Sequence, residues 1–203
     1  MSKIEAVIFD LGRVLVDVDI TRGIFGLFDH SSAGDTEEAV SRLMRDPALT
    51  AFNIGKLSSE QFWQEMKKKF SLDWDFAKFS KLWCDVFGPM AGMPELVKEL
   101  SGKVRLGLLS DTDPLHWEYI RKNYPLVSLI KKPTLSYETG FQKPGKEAYL
   151  AAVKNTGVEA AKCLYVDDLT ENVQGAIKAG LQAVQFTGAD ALRKEIIKRK
   201  ILS

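Results

Sequence analysis

Four groups of polar residues follow apolar runs or begin helical patterns, where their side chains could bind ions. The clearest is Asp10, which comes directly after the apolar run of residues 4–9. Open α/β sheets bind their ligands in the crevice beyond the carboxyl ends of the strands. A carboxylate in that crevice can hold a hard cation or act as a nucleophile. The alternative is that Asp10 is a turn residue that bonds its own backbone.

The other three groups occupy similar positions, at the end of a strand pattern or at the start of a helix pattern. They are Ser110 with Asp111, Lys143 before Pro144, and Asp167 with Asp168. Each has a structural alternative: the serine could cap the following helix, the lysine could be a solvated loop residue, and the aspartate pair could form an Asx turn. The order of the four groups along the chain is more informative than any one of them.

The elements that would position these groups alternate between strand and helix. Apolar runs predict strands over residues 4–9, 103–109, 161–166 and 183–186. Helices are predicted from Pro114 to about residue 123 with Asp113 as N-cap, from Pro144 to Gly157, and over 171–179. This alternation predicts an α/β fold with a parallel sheet and right-handed crossovers.

The segment of residues 17–88 interrupts the alternation. Helical patterns are predicted over 35–45, 58–70 and 73–87, and no strand pattern is recognised. Ser58 and Gln61 begin the second of these as a capping-box-like pair. We therefore expect a small helical cap over the strand ends, where it could exclude water and select substrates, with most of its aromatic residues in its own core. The predicted division is a core domain of residues 1–16 plus 89–203 and a cap domain of residues 17–88.

The composition argues against several functional classes. The chain has 203 residues, of which 45% are hydrophobic, and a formal net charge of +1, so it can bury a core and gives no indication of a nucleic-acid partner. No run is long and apolar enough to cross a bilayer, and no secretory signal is recognised. Cys84 and Cys163 lie far apart in apolar surroundings, which predicts reduced cysteines. We expect a cytoplasmic monomer or homodimer without a membrane partner.

Three features are predicted to be structural. His30 is expected at the surface, because no other residue stands at metal-ligand spacing from it. His116 and Trp117 are expected on a helix face packed near Tyr124. Residues 191–202 carry apolar side chains near one face and are expected to form a closing helix on the sheet.

Four motifs, in chain order, carry a resemblance to a known family. They are FDLGRVLVD at residues 9–17, LLSDT at 108–112, GFQKP at 140–144 and VDDLTENVQGA at 166–176. In these motifs and their order the chain resembles the haloacid dehalogenase superfamily, and more closely its branch of small phosphatases with a helical cap, typified by alpha-glucose-1-phosphate phosphatase. The resemblance covers nearly the whole chain. It implies a Rossmann-like three-layer core with a parallel sheet and a small helical-bundle cap inserted after the first strand.

The resemblance also implies an activity. The chain would be a Mg²⁺-dependent phosphatase that hydrolyses a small phosphorylated metabolite, such as a sugar phosphate, through an aspartyl phosphate on Asp10. The Mg²⁺ ion would be held by the Asp10 carboxylate, the Gly12 backbone carbonyl and Asp168, which are hard oxygen ligands.

The same resemblance assigns the phosphate-binding residues. Lys143 would supply an ammonium and Ser110 a hydroxyl, together with backbone N–H groups at a helix start, all directed at the phosphoryl oxygens. Asp167 and Asn172 would support the site without binding the metal directly.

Two departures from the family pattern bear on the chemistry. Most phosphatases of the superfamily carry an aspartate two residues after the nucleophile as general acid and base, and here Gly12 stands at that place, as in the glucose-1-phosphate branch. General acid–base catalysis is worth about 10²- to 10⁴-fold in rate. The second departure is Asp111, where that branch more often has asparagine. We hypothesise that Asp111, expected beside the substrate, alters acid–base chemistry or substrate choice.

Two other functions are open on the sequence alone. A 2-haloacid dehalogenase also uses an aspartate nucleophile, lacks the second aspartate and needs no metal, but the acidic pair Asp167 and Asp168 argues against metal-free halide chemistry. A non-catalytic phosphate-binding homologue is kept open by Gly12 and Asp111.

Overall fold

The computed structural model describes residues 3–28 and 36–203. The expectations for His30 and for the start of a helix at residue 35 lie outside these residues. The strands of the described residues are β1 (Ala6–Phe9), β2 (Val16–Val18), β3 (Phe87–Pro89), β4 (Arg105–Ser110), β5 (Thr134–Leu135), β6 (Cys163–Asp167) and β7 (Gln182–Gln185). Five of them form a parallel sheet in the order β5-β4-β1-β6-β7. The predicted α/β fold with a parallel sheet is confirmed.

Helices lie between these strands and after the last of them. In chain order the α-helices of the described residues are α1 (Ile20–Phe28), α2 (Thr36–Met44), α3 (Pro47–Asn53), α4 (Ser59–Phe70), α5 (Phe76–Cys84), α6 (Met93–Ser101), α7 (Pro114–Asn123), α8 (Ser136–Thr139), α9 (Lys146–Thr156), α10 (Thr170–Lys178) and α11 (Ala189–Lys198). The N-cap Asp113 of α7 and the capping box of Ser58 and Gln61 on α4 are as predicted. Helices α1, α3, α6 and α8 and the short strand β5 were not singled out from the sequence.

Two apolar layers cover the sheet. On one face, α6, α7 and α11 pack on alternate residues of the strands, including Val7, Phe9 and Val166. On the other face, α9 and α10 pack on the intervening residues, including Ile8 and Tyr165. Because successive side chains of a strand point to opposite faces, a strand buried on both faces has the continuous apolar run seen in the sequence. The core therefore has three layers, and the closing helix α11 belongs to one of them.

Helices α1–α5 form an apolar cluster of their own between β2 and β3, built around Phe52, Phe62, Phe79 and Trp83. The prediction that residues 17–88 contain no strand is wrong at both ends. There β2 and β3 pair antiparallel, with Val16 opposite Pro89 and Val18 opposite Phe87. Each strand has only three residues, which is too short for a recognisable period-two pattern, and the Gly and Pro of β3 disfavour strands as well.

The helical cluster contacts the core closely. The Ser136 hydroxyl, at the start of α8, lies 2.6 Å from the Asn53 carbonyl oxygen at the end of α3. Gly55 follows with a φ of +73°, and a Cβ there would lie 2.1 Å from the carbonyl oxygen of Tyr137. Only glycine allows both this backbone conformation and this approach.

Two predictions from composition can also be compared with the structure. Cys84 and Cys163 are both buried and free, as expected of packing residues. Among the described helices, none has the length and apolar composition needed to cross a membrane.

Candidate active site

The carboxyl ends of β1, β4 and β6 bring the predicted site residues to one edge of the sheet. Phe9 pairs with Leu108 and Val166, so Asp10 leaves the sheet beside the last residues of both neighbouring strands. A cavity of about 260 Å³ opens there. Its lining includes the predicted site residues Asp10, Gly12, Ser110, Asp111, Lys143, Asp168 and Asn172, together with Arg13, Val18 and Leu169. Asp167 is fully buried beneath it.

Lys143 joins two of the carboxylates. Its Nζ lies 2.6 Å from Asp10 Oδ1 and 3.0 Å from Asp167 Oδ2, and its side chain is only 5% exposed. The alternative of a solvated loop lysine is therefore wrong. The loop before α9 delivers a buried cation to the end of β1, more than 130 residues away along the chain.

Asp167 is held by four donors. Its carboxylate accepts hydrogen bonds from Lys143, from the Tyr165 hydroxyl, from the Leu169 backbone N–H at 2.9 Å and from the Asn172 amide at 3.1 Å. The bond to Leu169 is the Asx turn considered from the sequence, so the turn and the contact with Lys143 occur together. Because its oxygens are already satisfied, Asp167 is suited to hold Lys143 in place.

The charges in this cluster shift the pKa values of its members. Burial raises the pKa of Asp10 to about 6, and Lys143 opposes that shift. Burial also disfavours the charge of Asp167, but Lys143 and the hydrogen bonds from Tyr165 and Leu169 outweigh it and lower its pKa. Burial works against the Lys143 ammonium too, yet Asp10 and Asp167 raise its pKa well above the usual range. Lys143 is therefore a permanent cation at neutral pH.

The donor set fits a hard divalent cation. Asp10, Asp167 and Asp168 each offer a carboxylate oxygen, and these oxygens lie within 4.8 Å of one another. Since Asp167 is engaged by its four donors, the oxygens best placed for a cation are those of Asp10 and Asp168. The Asp168 side chain is 21% exposed, and Arg13 Nη1 is 4.0 Å from it. Burial and the neighbouring Asp167 raise the pKa of Asp168, because both disfavour its ionised form. A bound cation would stabilise that ionised form.

Ser110 and Asp111 lie on the opposite side of Asp10 from Asp168. Ser110 is buried and ends β4. It does not cap α7, because Asp113 does so, and the capping alternative is wrong. Asp111 is exposed, and both of its oxygens lie 3.2 Å from the backbone N–H of Lys143. Its pKa is raised because the surrounding protein removes part of its solvation.

The sequence interpretation missed two buried contacts. Tyr165 supports Asp167 from two residues earlier on β6, and this i, i+2 spacing on one strand face was the available signal. His116 packs on Trp83 of α5, with ring centroids 5.1 Å apart, rather than near Tyr124. Its Nδ1 lies 2.8 Å from Asp113 Oδ2, and its Nε2 lies 2.8 Å from the Trp83 carbonyl oxygen. No sequence signal connects α5 with α7.

Comparison with known proteins adds to this geometry. Residues 4–180 match the family described as haloacid dehalogenase-like hydrolase. The chain is 23% identical over 200 residues to D-ribitol-5-phosphate phosphatase of Bacteroides thetaiotaomicron, covering 95% of this chain and 97% of that protein. It is also 23% identical over 200 residues to a sesquiterpene phosphatase of Aspergillus oryzae, with 96% of each chain covered.

A solved structure shows the same fold. It is a haloacid dehalogenase family enzyme from Bacteroides thetaiotaomicron in complex with magnesium and inorganic phosphate. The TM-score is 0.82 at 21% identity, covering 91% of this chain and 95% of that one.

Proposed function

Because the chain belongs to the haloacid dehalogenase-like hydrolase family, we propose that it is a Mg²⁺-dependent phosphatase that hydrolyses a small phosphorylated metabolite through an aspartyl phosphate on Asp10. The observation that carries the proposal is the buried contact of 2.6 Å between Lys143 Nζ and Asp10 Oδ1, next to the carboxylate of Asp168. A phosphate monoester dianion repels a carboxylate, so attack by Asp10 requires cations at this place.

The proposed reaction has two steps. An oxygen of Asp10 forms a bond to phosphorus while the bond from phosphorus to the ester oxygen breaks, and the alcohol leaves with a proton. Water then attacks phosphorus, which releases inorganic phosphate and restores the carboxylate. Lys143 stabilises the phosphoryl oxygens in both steps, and Ser110 donates its hydroxyl to them.

The Asp10 carboxylate, the Gly12 backbone carbonyl and Asp168 would hold the Mg²⁺ ion. When bound, the ion supplies positive charge beside the phosphoryl group. Asp167 keeps the Lys143 ammonium directed at Asp10, and Asn172 orients Asp167 through hydrogen bonds of 3.1 Å. The magnesium and phosphate in the similar solved structure support this assignment.

Acid–base catalysis is proposed for Asp111. Gly12 has no side chain to protonate the leaving oxygen, whereas Asp111 borders the same cavity and has a raised pKa. Its contact with the Lys143 backbone leaves the ammonium of that residue free to pair with Asp10. A carboxyl group in this position can donate a proton to the departing alcohol and then accept one from water.

The two relatives act on phosphate esters of different alcohols. One is named for ribitol 5-phosphate and the other for a sesquiterpene phosphate, and these alcohols differ in size and polarity. The two substrates have only the phosphate ester in common. The closer likeness to the glucose-1-phosphate branch and the division into domains at residues 17 and 88 stay predictions.

The test compares the three functions considered from the sequence. Purified protein is assayed for phosphate release from p-nitrophenyl phosphate with Mg²⁺ and with EDTA, and for chloride release from 2-chloropropionate. The proposal expects phosphate release that EDTA abolishes and no chloride release. Chloride release that persists in EDTA would favour the dehalogenase. Beryllium fluoride binding without turnover would favour a phosphate-binding protein.

A further inference from the structure

A second cavity continues from the candidate active site into the helical cluster. It has a volume of about 230 Å³ and shares Gly12, Val18, Ser110 and Asp111 with the first cavity. A Cβ at position 12 would lie 3.1 Å from Val18 Cγ2, so the absence of a side chain at Gly12 keeps the passage between the two cavities open. A group attached to a phosphate beside Asp10 would extend into this second cavity.

The wall that the helical cluster contributes is apolar. Its side chains come from α1, α2, α3, α5 and β3, and they include Ile20, Ile24, Met44, Leu49, Trp83 and Phe87. Leu11, which follows β1, and Val18 of β2 also line the cavity. Such a wall gains free energy by covering apolar surface and offers nothing to replace the water around a hydroxyl group.

Polar groups on the wall are mostly committed to each other. Asp113 accepts from Trp83 Nε1 at 3.1 Å and from the His116 backbone N–H at 2.9 Å, in addition to the His116 ring. Both ring nitrogens of His116 are engaged, and the ring lies between Trp83 and Phe87.

Apart from Ser110 and Asp111 at the phosphate end, the polar side chains left on the wall are Asn53 and Thr112.

Size and polarity together define the group that fits. Pockets for drug-sized ligands have volumes of about 300–1,000 Å³, so this cavity suits a compact group. Each hydroxyl of a polyol that lost its water here without a partner would weaken binding by about tenfold or more. One polar substituent could be accommodated by Asn53 or Thr112, but the four or five of a sugar or sugar alcohol could not.

We propose that the substrate is the phosphate monoester of a compact, mainly apolar alcohol, whose carbon skeleton fills the cavity between Leu49 and Phe87. This inference rests on the proposed phosphatase function and departs from the sugar phosphate expected from the sequence. Leu49 on α3 selects the alcohol, because it is half-buried and faces the cavity from the helical cluster.

The first experiment compares two esters of similar size and the same leaving-group type. Cyclohexylmethyl phosphate and glucose 6-phosphate both carry a six-membered ring on a primary alcohol, and they differ in the ring oxygen and the hydroxyl groups of the sugar. We expect kcat/KM to be about 100-fold higher for cyclohexylmethyl phosphate. In a series of linear alkyl phosphates, each methylene should raise kcat/KM by about fourfold until the cavity is full.

The second experiment changes the wall. Leu49→Asn should reduce the preference for cyclohexylmethyl phosphate over glucose 6-phosphate by about tenfold. The matched control is Leu57→Asn, because Leu57 is also half-buried against the helical cluster but does not line this cavity. The control should keep the wild-type preference, and melting temperatures of both variants establish that they fold.

Three outcomes separate the inference from the function on which it rests. A strong preference for the apolar ester supports the inference, even if Leu49→Asn fails to fold. Equal or better hydrolysis of glucose 6-phosphate, with p-nitrophenyl phosphate also hydrolysed, overturns the inference and leaves the phosphatase function intact. If no ester releases phosphate, the proposed function is overturned and the inference with it.

Discussion

Lys143 Nζ lies 2.6 Å from Asp10 Oδ1, in a contact from which solvent is almost excluded. Asp167 lies on the other side of the ammonium, so one cation is shared between two buried carboxylates. The ammonium favours the ionised form of Asp10 against the larger effect of burial, and it lies where it can neutralise a phosphate. The members of this arrangement can be removed singly and in pairs, which makes the site accessible to mutagenesis.

Replacing Asp10 by Asn should abolish hydrolysis without unfolding the protein. We expect kcat to fall by at least about 10³-fold, because the amide cannot form the acyl phosphate. The melting temperature in EDTA should stay the same or rise, since burial raises the pKa of Asp10 to about 6 and its charge at pH 8 therefore opposes folding. Asp17→Asn, at an exposed position on β2, is the control. Retained turnover would remove Asp10 from the mechanism.

Replacing Lys143 by Met should destabilise the fold as well as remove activity. Two buried carboxylates then lose their shared cation, and we expect the free energy of unfolding to fall by about 3 kcal/mol at pH 8. The decrease should be smaller at pH 5, where Asp10 takes up a proton. Urea denaturation measures both values, and Lys146→Met is the exposed control.

The double variant Asp10→Asn with Lys143→Met should be more stable than Lys143→Met alone. We expect the two substitutions to have a coupling free energy of at least about 1 kcal/mol in stability. The reason is that removing the Asp10 carboxylate relieves part of the negative charge that Lys143→Met leaves buried without a cation. Additive effects would show that the two side chains act independently.

Replacing Asp111 by Asn should change the pH dependence of turnover. Asparagine can still accept from the Lys143 backbone N–H but cannot carry a proton to the leaving oxygen. We expect alkyl phosphates to be hydrolysed about 10²-fold more slowly and p-nitrophenyl phosphate to be little affected, because nitrophenolate leaves without protonation. Identical profiles of kcat/KM against pH in the variant and the wild type would contradict the role of Asp111.

Replacing Asp168 by Asn should weaken Mg²⁺ binding. The amide lacks the charge that attracts the ion, so we expect the Mg²⁺ concentration at half-saturation to rise by at least about tenfold. Thermal shift titration without substrate measures this independently of turnover. The control is Glu171→Gln, because Glu171 is a nearby acidic residue in the first turn of α10 but does not line the cavity. This variant should give the same Mg²⁺ titration as the wild type.

The pair of His116 and Asp113 should make stability depend on pH. Both ring nitrogens of His116 face oxygen acceptors, an arrangement that favours the doubly protonated ring, and Asp113 and the Trp83 carbonyl raise its pKa above 6.5 in spite of burial. Its contribution to stability is complete below pH 6.5 and is lost as the pH rises through the folded pKa. Burial opposes the charge of Asp113, but His116 lowers its pKa below 3.8, so its contribution is lost only as the pH falls through that lowered value. The pair of His116 and Asp113 therefore contributes most to the stability of the fold between pH 3.8 and pH 6.5, where both contributions are complete.

His116→Phe tests this by keeping the ring stacked on Trp83 while removing both of its hydrogen bonds. We expect a loss of about 2 kcal/mol at pH 6 and a smaller loss above pH 8. Urea denaturation at several pH values measures the difference between wild type and variant. A difference that does not change with pH would show that the histidine is neutral in the folded protein.

Sequence patterns determined the parallel sheet, the placement of the polar groups at its carboxyl edge and the presence of a helical insert. These features follow from local periodicity: buried strands such as β1 and β6 give continuous apolar runs, and caps such as Asp113 mark where helices begin. The resemblance carried by the four motifs correctly identified the family. Positions in strand ends and loops were enough to select Asp10, Ser110, Lys143 and Asp168 as candidates, although their roles stay predictions.

Tertiary structure alone decided the contacts that depend on distant parts of the chain. The pairing of Lys143 with Asp167, the antiparallel pairing of β2 with β3, and the packing of His116 on Trp83 join residues between 24 and about 70 positions apart. The second cavity likewise has walls from the core and from six elements of the insert or its borders. No periodicity records such contacts, because they result from how whole elements pack rather than from the preferences of neighbouring residues.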